Sequence, residues 1–468
     1  MAIAWKEEVE KRKDDLLTDL FELLKIPSVR DDDQASPDAP VGPGPKEALE
    51  AFLDMAERDG FTTKNVENIA GHVEYGQGDQ TLGVLGHVDV VPVDDFWDTN
   101  PFQPEIKDGK LYARGASDDK GPTLAAYYAL KIIKELELPI DKKIRFIVGT
   151  DEESGWECMD RYFANEAKPD FGFSPDADFP IINGEKGMYS VKLTFDDVTD
   201  KLVSFEAGQR ENMVPGQATA VVRDIKDDFS EIEQSFNAYE GIDLTVIDQG
   251  TGSFAISVTG KASHAMAPAN GINAATHLAK FLTMIDADLA NDPFIDFLGQ
   301  TLHEDYYGKA LGIDHNDDIM GVLTVNPGVV RREGLGQSIA LNIRVPKGKD
   351  YAELDARFAE LAAEKHFSLG SAQKTNKQPH YVPADDPLVK VLLDVYHKQT
   401  GLEAHEKSIG GGTYGRLLER GVAYGALFPD SQDTMHQANE FIALDDLFRA
   451  TAIYCEAIYE LVKPGSIA

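Results

Sequence analysis

The chain has 468 residues, 42% hydrophobic and 27% charged, the balance of a folded globular protein with room for two or three domains. Its 45 Lys and Arg against 81 Asp and Glu leave a net charge of −36, a field that repels phosphate backbones and anionic membrane surfaces and argues against nucleic acid or a membrane as partner. Two cysteines, Cys158 and Cys455, exclude a disulfide framework; the opening residues lack the apolar core of a secretion signal and no apolar run reaches bilayer length, so a cytoplasmic protein is expected.

Val9, Leu16, Leu17, Leu20, Phe21 and Leu24 recur at helical spacing over residues 5–26. Five prolines over 27–45 predict a surface loop, and a helical pattern resumes over 46–59. Strands are then expected at 82–85, 110–113, 143–148 and 171–173, with a helix at 122–138 among them. Alternating strands and helices predict an α/β domain with a mainly parallel sheet. After about Glu185 the texture changes. Strands at 190–195, 218–222, 244–247, 254–259 and 338–345, with a helix at 274–285, predict a large α+β domain. Helices at 388–399 and 445–461 restore the first pattern. The expected division is therefore 1–185 and 382–468 for an α/β domain, interrupted by an insertion at 186–381.

The chemistry lies at strand ends. The first strand runs into Gly86-His87-Val88-Asp89, the strand 143–148 into Asp151-Glu152-Glu153, and 171–173 into Pro175-Asp176-Ala177-Asp178; the apolar run 422–428 precedes Met435-His436. Ligands of open α/β sheets bind outside the carboxyl ends of strands, so four segments deliver carboxylates or imidazoles to one edge. Singly, each has a bland reading as a solvated acidic turn or an incidental histidine. Gathered together, such like charges need a compensating cation. In Arg114-Gly115-Ala116-Ser117-Asp118-Asp119-Lys120-Gly121-Pro122, an Asp either caps the following helix or bridges two cations. Carboxylates and imidazoles without thiolate suit zinc, manganese or cobalt. Two such ions can share a carboxylate and a water that becomes hydroxide near neutral pH. Glu152-Glu153 offers one side chain for a metal and one for a proton. The run Gly410-Gly411-Gly412 lacks the spacing of a phosphate loop.

The segments Gly86-His87-Val88-Asp89-Val90-Val91-Pro92, Gly115-Ala116-Ser117-Asp118-Asp119-Lys120-Gly121, Asp151-Glu152-Glu153-Ser154-Gly155 and Ser174-Pro175-Asp176-Ala177 resemble the aminoacylase/carboxypeptidase G-like family of dinuclear zinc peptidases. Three more are similar to its bacterial dipeptidase V (PepV) type: Ile182-Asn183-Gly184-Glu185-Lys186-Gly187, Ile409-Gly410-Gly411-Gly412-Thr413-Tyr414-Gly415-Arg416 and Met435-His436-Gln437-Ala438-Asn439-Glu440. The resemblance spans nearly the whole chain and implies a metal-dependent dipeptidase. One metal would be held by His87 and Asp176, the other by Glu153 and His436, with Asp118 bridging and followed by a cis peptide bond. Zinc is the expected pair of ions, with manganese or cobalt as alternatives. Asp89 would orient His87, and Glu152 would act as general base on a bridging hydroxide.

The same resemblance makes the α/β part the catalytic domain and the insertion a lid, whose own His264 would stabilise the oxyanion in a monomer. Asn212 and Arg344 would hold the short peptide substrate. Asp119 is the expected partner of its free amino group, and Gly411 and Thr413 abut it. The remaining histidines, among them His72, His277, His315 and His397, match no family position and are expected to be structural. Removal of an N-acyl group from an amino acid is the nearest alternative activity, and a non-catalytic ligand-binding relative a more distant one.

Overall fold

The apolar runs that predict strands at 82–85 and 143–148 become Thr81–His87 and Lys143–Gly149, paired in parallel with Val84 opposite Phe146. Almost every residue of both is buried, as expected of strands covered on both faces. The computed structural model describes residues 3–94, 96–196, 199–333, 336–370 and 376–466. It divides into two units, one drawn from residues up to 184, 381–407 and from 412 on, the other from 185–380 and 408–411.

The first unit holds a six-stranded sheet in the order Thr62–Val66, Ala70–Tyr75, Lys143–Gly149, Thr81–His87, Phe171–Ser174, Gly421–Ala423. The last four run parallel, whereas the first two are antiparallel to their neighbours, so the sheet is mixed where a mainly parallel one was expected. The added pair is a hairpin that turns through Glu67 and Asn68, both at φ 55°. Its turn has no glycine, and its outer strand is largely exposed, so the hairpin carries no strong pattern in the sequence. Helices Lys13–Leu24, Pro43–Arg58, Lys120–Glu135, Pro387–Thr400 and Leu444–Val462 belong to this unit, and Leu20, Phe52, Leu124, Phe146, Leu392 and Ile453 help to form its core. The predicted helix over 5–26 is broken into Trp5–Glu10 and Lys13–Leu24. The apolar run 422–428 divides into Gly421–Ala423 and Ala426–Leu427, because Gly425 between them has φ +72°.

The second unit is built on an eight-stranded sheet, antiparallel throughout, in the order Asp243–Gly250, Ser253–Thr259, Gln217–Val222, Leu202–Ala207, Thr324–Glu333, Gly336–Val345, Gly187–Phe195, Phe367–Leu369. In Gln217–Val222 buried residues alternate with more exposed ones, as in a sheet with one covered face. Helices Ala274–Ile285 and Tyr351–Lys365 contribute Leu278, Phe281, Leu354 and Phe358 to the core of this unit. Among the described residues, no helix is long and apolar enough to cross a membrane.

Candidate metal centre

Three parallel strands of the first unit end in the acids and histidines singled out above. His87 closes Thr81–His87, Glu152 and Glu153 follow Lys143–Gly149 by a short turn, and Asp176 follows Phe171–Ser174. The turn after Lys143–Gly149 is set by Asp151, whose carboxylate pairs with Arg30 at 2.7 Å and accepts the Glu157 N–H at 2.9 Å. His436 stands at φ 60° in a loop closed by mutual bonds between Thr434 and Phe441 and by Asn439 to Asp98.

These groups converge on Asp118. Its Oδ1 is 3.2 Å from His87 Nε2, and its Oδ2 is 2.9 Å from His436 Nε2. His87 Nε2 is also 3.7 Å from Asp176 Oδ2, and His436 Nε2 is 3.1 Å from Glu153 Oε2. Two donor triads result, His87/Asp118/Asp176 and Asp118/Glu153/His436, each with its donor atoms within 4.8 Å of one another. Asp118 belongs to both, and its peptide bond to Asp119 is cis. The donor chemistry fits hard or borderline divalent ions. A second observation supports the fit: His87 Nε2 is fully buried, faces two carboxylates, and makes no hydrogen bond among the described residues.

The electrostatics show the same demand for positive charge. Burial pushes the Glu152 and Asp176 carboxyls well above the usual range, and repulsion from Asp118 adds to the shift of each. Burial disfavours a charged His436, but Asp118 and Glu153 outweigh it and hold its pKa up to about 11.

Asp89 does more than face His87. His87 Nδ1 lies 3.0 Å from the Asp89 backbone oxygen and 3.3 Å from Oδ1, while the two Asp89 carboxylate oxygens accept the Glu152 and Glu153 N–H groups at 3.1 Å each. Asp119 is fully buried; its Oδ2 accepts from Thr123 Oγ1 at 2.7 Å and from His87 N at 3.3 Å, and its Oδ1 has no hydrogen-bond partner among the described residues. It therefore does not cap the helix it precedes with its side chain.

Glu440 escapes the reading from sequence, although it lies four residues past His436. Fully buried, it accepts the Ser117 and Asp118 N–H groups on Oε1 at 2.8 and 3.0 Å, and Gly115 N and Arg114 Nη1 on Oε2 at 3.1 and 2.7 Å. Burial and the charge of Asp118 push its pKa up to about 7 against the pull of Arg114. It clamps the loop that carries Asp118 to the segment that carries His436.

The remaining candidates lie apart from this cluster in the chain. Thr413 accepts the Gly415 N–H on its Oγ1 at 3.1 Å, starting a short helical turn in the first unit. In the second unit Asn212 and His264 are neighbours through Ala265, whose N–H donates to the Asn212 backbone carbonyl at 2.9 Å. The Met266 N–H donates to His264 Nδ1 at 3.2 Å. Arg344 is buried, with Nε donating to Asn342 Oδ1 at 2.9 Å and Nη1 to the Gly410 carbonyl at 3.0 Å. Gly411 borders open space, its nearest neighbour to an added Cβ being Ile409 at 3.9 Å.

Residues 83–460 match the model of peptidase family M20/M25/M40, and the chain belongs to that family of peptide hydrolases. Among its relatives, "Putative dipeptidase YtjP" of Bacillus subtilis (strain 168) is 45% identical over 471 residues, covering 98% of this chain and 100% of the relative. A "Putative dipeptidase" of Staphylococcus epidermidis is also 45% identical, over 474 residues, with coverage of 98% and 99%. Among solved structures, the di-peptidase Dug1p of Saccharomyces cerevisiae shares the fold at a TM-score of 0.58 and 15% identity, covering 97% of this chain and 98% of that one. The M20 metallo-carboxypeptidase Sso-CP2 of Sulfolobus solfataricus does so at 0.58 and 20%, with coverage of 95% and 98%.

Proposed function

We propose that this protein is a metal-dependent dipeptidase of the dipeptidase V type, acting on peptides with free termini. The observation that carries the reading is the pair of donor triads sharing Asp118, with Glu152 beside them. His87, Asp118 and Asp176 would hold one divalent ion, and Asp118, Glu153 and His436 the other, zinc being the proposed metal. Bound there, the ions would polarise the scissile carbonyl and acidify an attacking water. Glu152 takes the proton of that water on its carboxylate and returns it to the leaving amine. Asp89 holds both glutamates by their backbone N–H groups, so Glu152 meets the substrate from a fixed position.

The Oδ1 of Asp119, without a hydrogen-bond partner among the described residues, is the acceptor proposed for a free amino group. In the same reading the insertion at 186–381 is the lid of a monomer, and its His264, Asn212 and Arg344, with Gly411 and Thr413, serve the substrate. The Met266 N–H on His264 Nδ1 supports that role for the histidine, because a neutral ring then carries its proton on Nε2, the donor an oxyanion takes.

The test is hydrolysis of a free dipeptide, its N-acetyl form and a tetrapeptide, after chelation and after return of zinc, manganese or cobalt. Metal-restored cleavage of the free dipeptide alone is expected; preference for the acylated form would move the protein to amino-acid deacylation. Glu152→Ala should lower turnover by about 10²–10⁴-fold with metal content unchanged. Loss of both metals in that variant would place Glu152 among the ligands instead.

A further inference from the structure

We propose that His277, His303 and Glu304 form an additional divalent-cation site of zinc type inside the antiparallel unit, separate from the carboxylate-rich centre. The three side chains offer donor atoms within 4.8 Å of one another, and the two imidazole rings stand edge to face with centroids 4.6 Å apart. Two imidazoles and a carboxylate form a set that zinc takes readily while leaving a position for water.

The local structure prepares these groups for a ligand. His277 is buried one turn into helix Ala274–Ile285, and its Nδ1–H donates to the Asn273 carbonyl at 2.9 Å. That bond fixes the tautomer and leaves Nε2 with its lone pair, the arrangement by which a backbone carbonyl prepares a metal-binding histidine. Asn273 is itself held, donating from Nδ2 to the Pro327 carbonyl at 3.0 Å and accepting the Ala275 N–H at 3.0 Å.

His303 follows the wide turn Phe297–Thr301, and its Nδ1 is buried with no hydrogen-bond partner among the described residues. A buried ring nitrogen left unpaired beside a second ring of set tautomer is costly without a third party, and a cation satisfies both. A tetrahedral ion holds its donors about 3.4 Å apart at zinc–ligand lengths, inside the 4.8 Å that bounds this set. Glu304 is exposed, and its long side chain can adjust to that spacing. The bound ion would staple the start of the helix to the segment that follows the wide turn.

Zinc stoichiometry after equilibrium dialysis of the full chain tests the site, comparing wild type with His303→Gln and Glu304→Gln. Both substitutions leave His87, Asp118, Glu153, Asp176 and His436 intact, so ions held there are common to all three proteins. Wild type is expected to hold one zinc more than His303→Gln. Glu304→Gln should hold that ion at least tenfold more weakly, and zinc should raise the melting temperature of wild type beyond that of either variant. Dipeptide hydrolysis at saturating metal should be the same in all three. Equal stoichiometry in wild type and a folded His303→Gln would overturn the site. Should His303→Gln fail to fold, equal zinc affinity in wild type and Glu304→Gln, whose change is on the surface, would overturn it as well.

Discussion

At Glu440 a single carboxylate accepts four N–H donors, three from the backbone of the Asp118 loop and one from buried Arg114. In Glu440→Gln one oxygen becomes an NH₂ group facing donors, and Arg114 is left buried without its counter-charge. At pH 8, where Glu440 is ionised, the loss should be about 3–5 kcal/mol in urea unfolding. Zinc affinity at the Asp118 centre should fall about 10–100-fold; unchanged affinity would remove Glu440 from the positioning of Asp118. A second residue sets a pH dependence. His72 is buried against the Tyr162 hydroxyl at 2.7 Å, and burial, then Arg145, lower its pKa to about 4. Between that value and about 6.5 the unfolded chain binds more protons, so this contribution is complete above pH 6.5 and is lost as pH falls toward 4. The slope of stability against pH over that window should flatten in His72→Gln.

At the scale of elements, the interface between strand Thr81–His87 and helix Lys120–Glu135 leaves no room at Gly86. An added Cβ there would meet Thr123 Oγ1 at 2.1 Å, and that hydroxyl is the donor to Asp119. Gly86→Ala should cost about 1–3 kcal/mol and loosen metal retention together, measured by unfolding and metal content of one preparation. Much of this scale was legible in advance, because His87, Glu152, Glu153 and Asp176 lie directly past strands whose apolar runs are unmistakable. The hairpin Thr62–Val66 and Ala70–Tyr75 was not, since its turn is Glu67-Asn68 and its outer strand has little to bury. Glu440 and the double role of Asp89 were illegible for another reason. Their meaning lies in N–H groups of distant segments, and no local pattern marks an acceptor for those.

For the whole molecule, a net charge of −36 sets a self-repulsion that salt relieves. Raising sodium chloride from 0.01 to 0.15 M shortens the screening length from about 30 to about 8 Å and should raise the melting temperature of the metal-free protein. A fall over the same range would mean that favourable ion pairs, such as Arg58 with Asp19, outweigh the net field. The division into two units follows from the change in strand texture near Glu185, which the sequence displays; the mixed character of the first sheet does not, because nothing in Ala70–Tyr75 marks the direction in which it pairs with Lys143–Gly149.

The first unit is assembled from both ends of the chain, with a whole second unit inserted between. On the ribosome, His87, Asp118, Glu153 and Asp176 emerge first, whereas His436 and the Glu440 clamp follow only after the inserted unit, His436 lying 260 residues past Asp176. A nascent or prematurely terminated chain that stops short of them has one donor triad and two of the three donors of the other. Completion of the centre thus waits until the whole inserted unit has been made, and no fragment released earlier carries the full set of groups that the proposed hydrolysis requires.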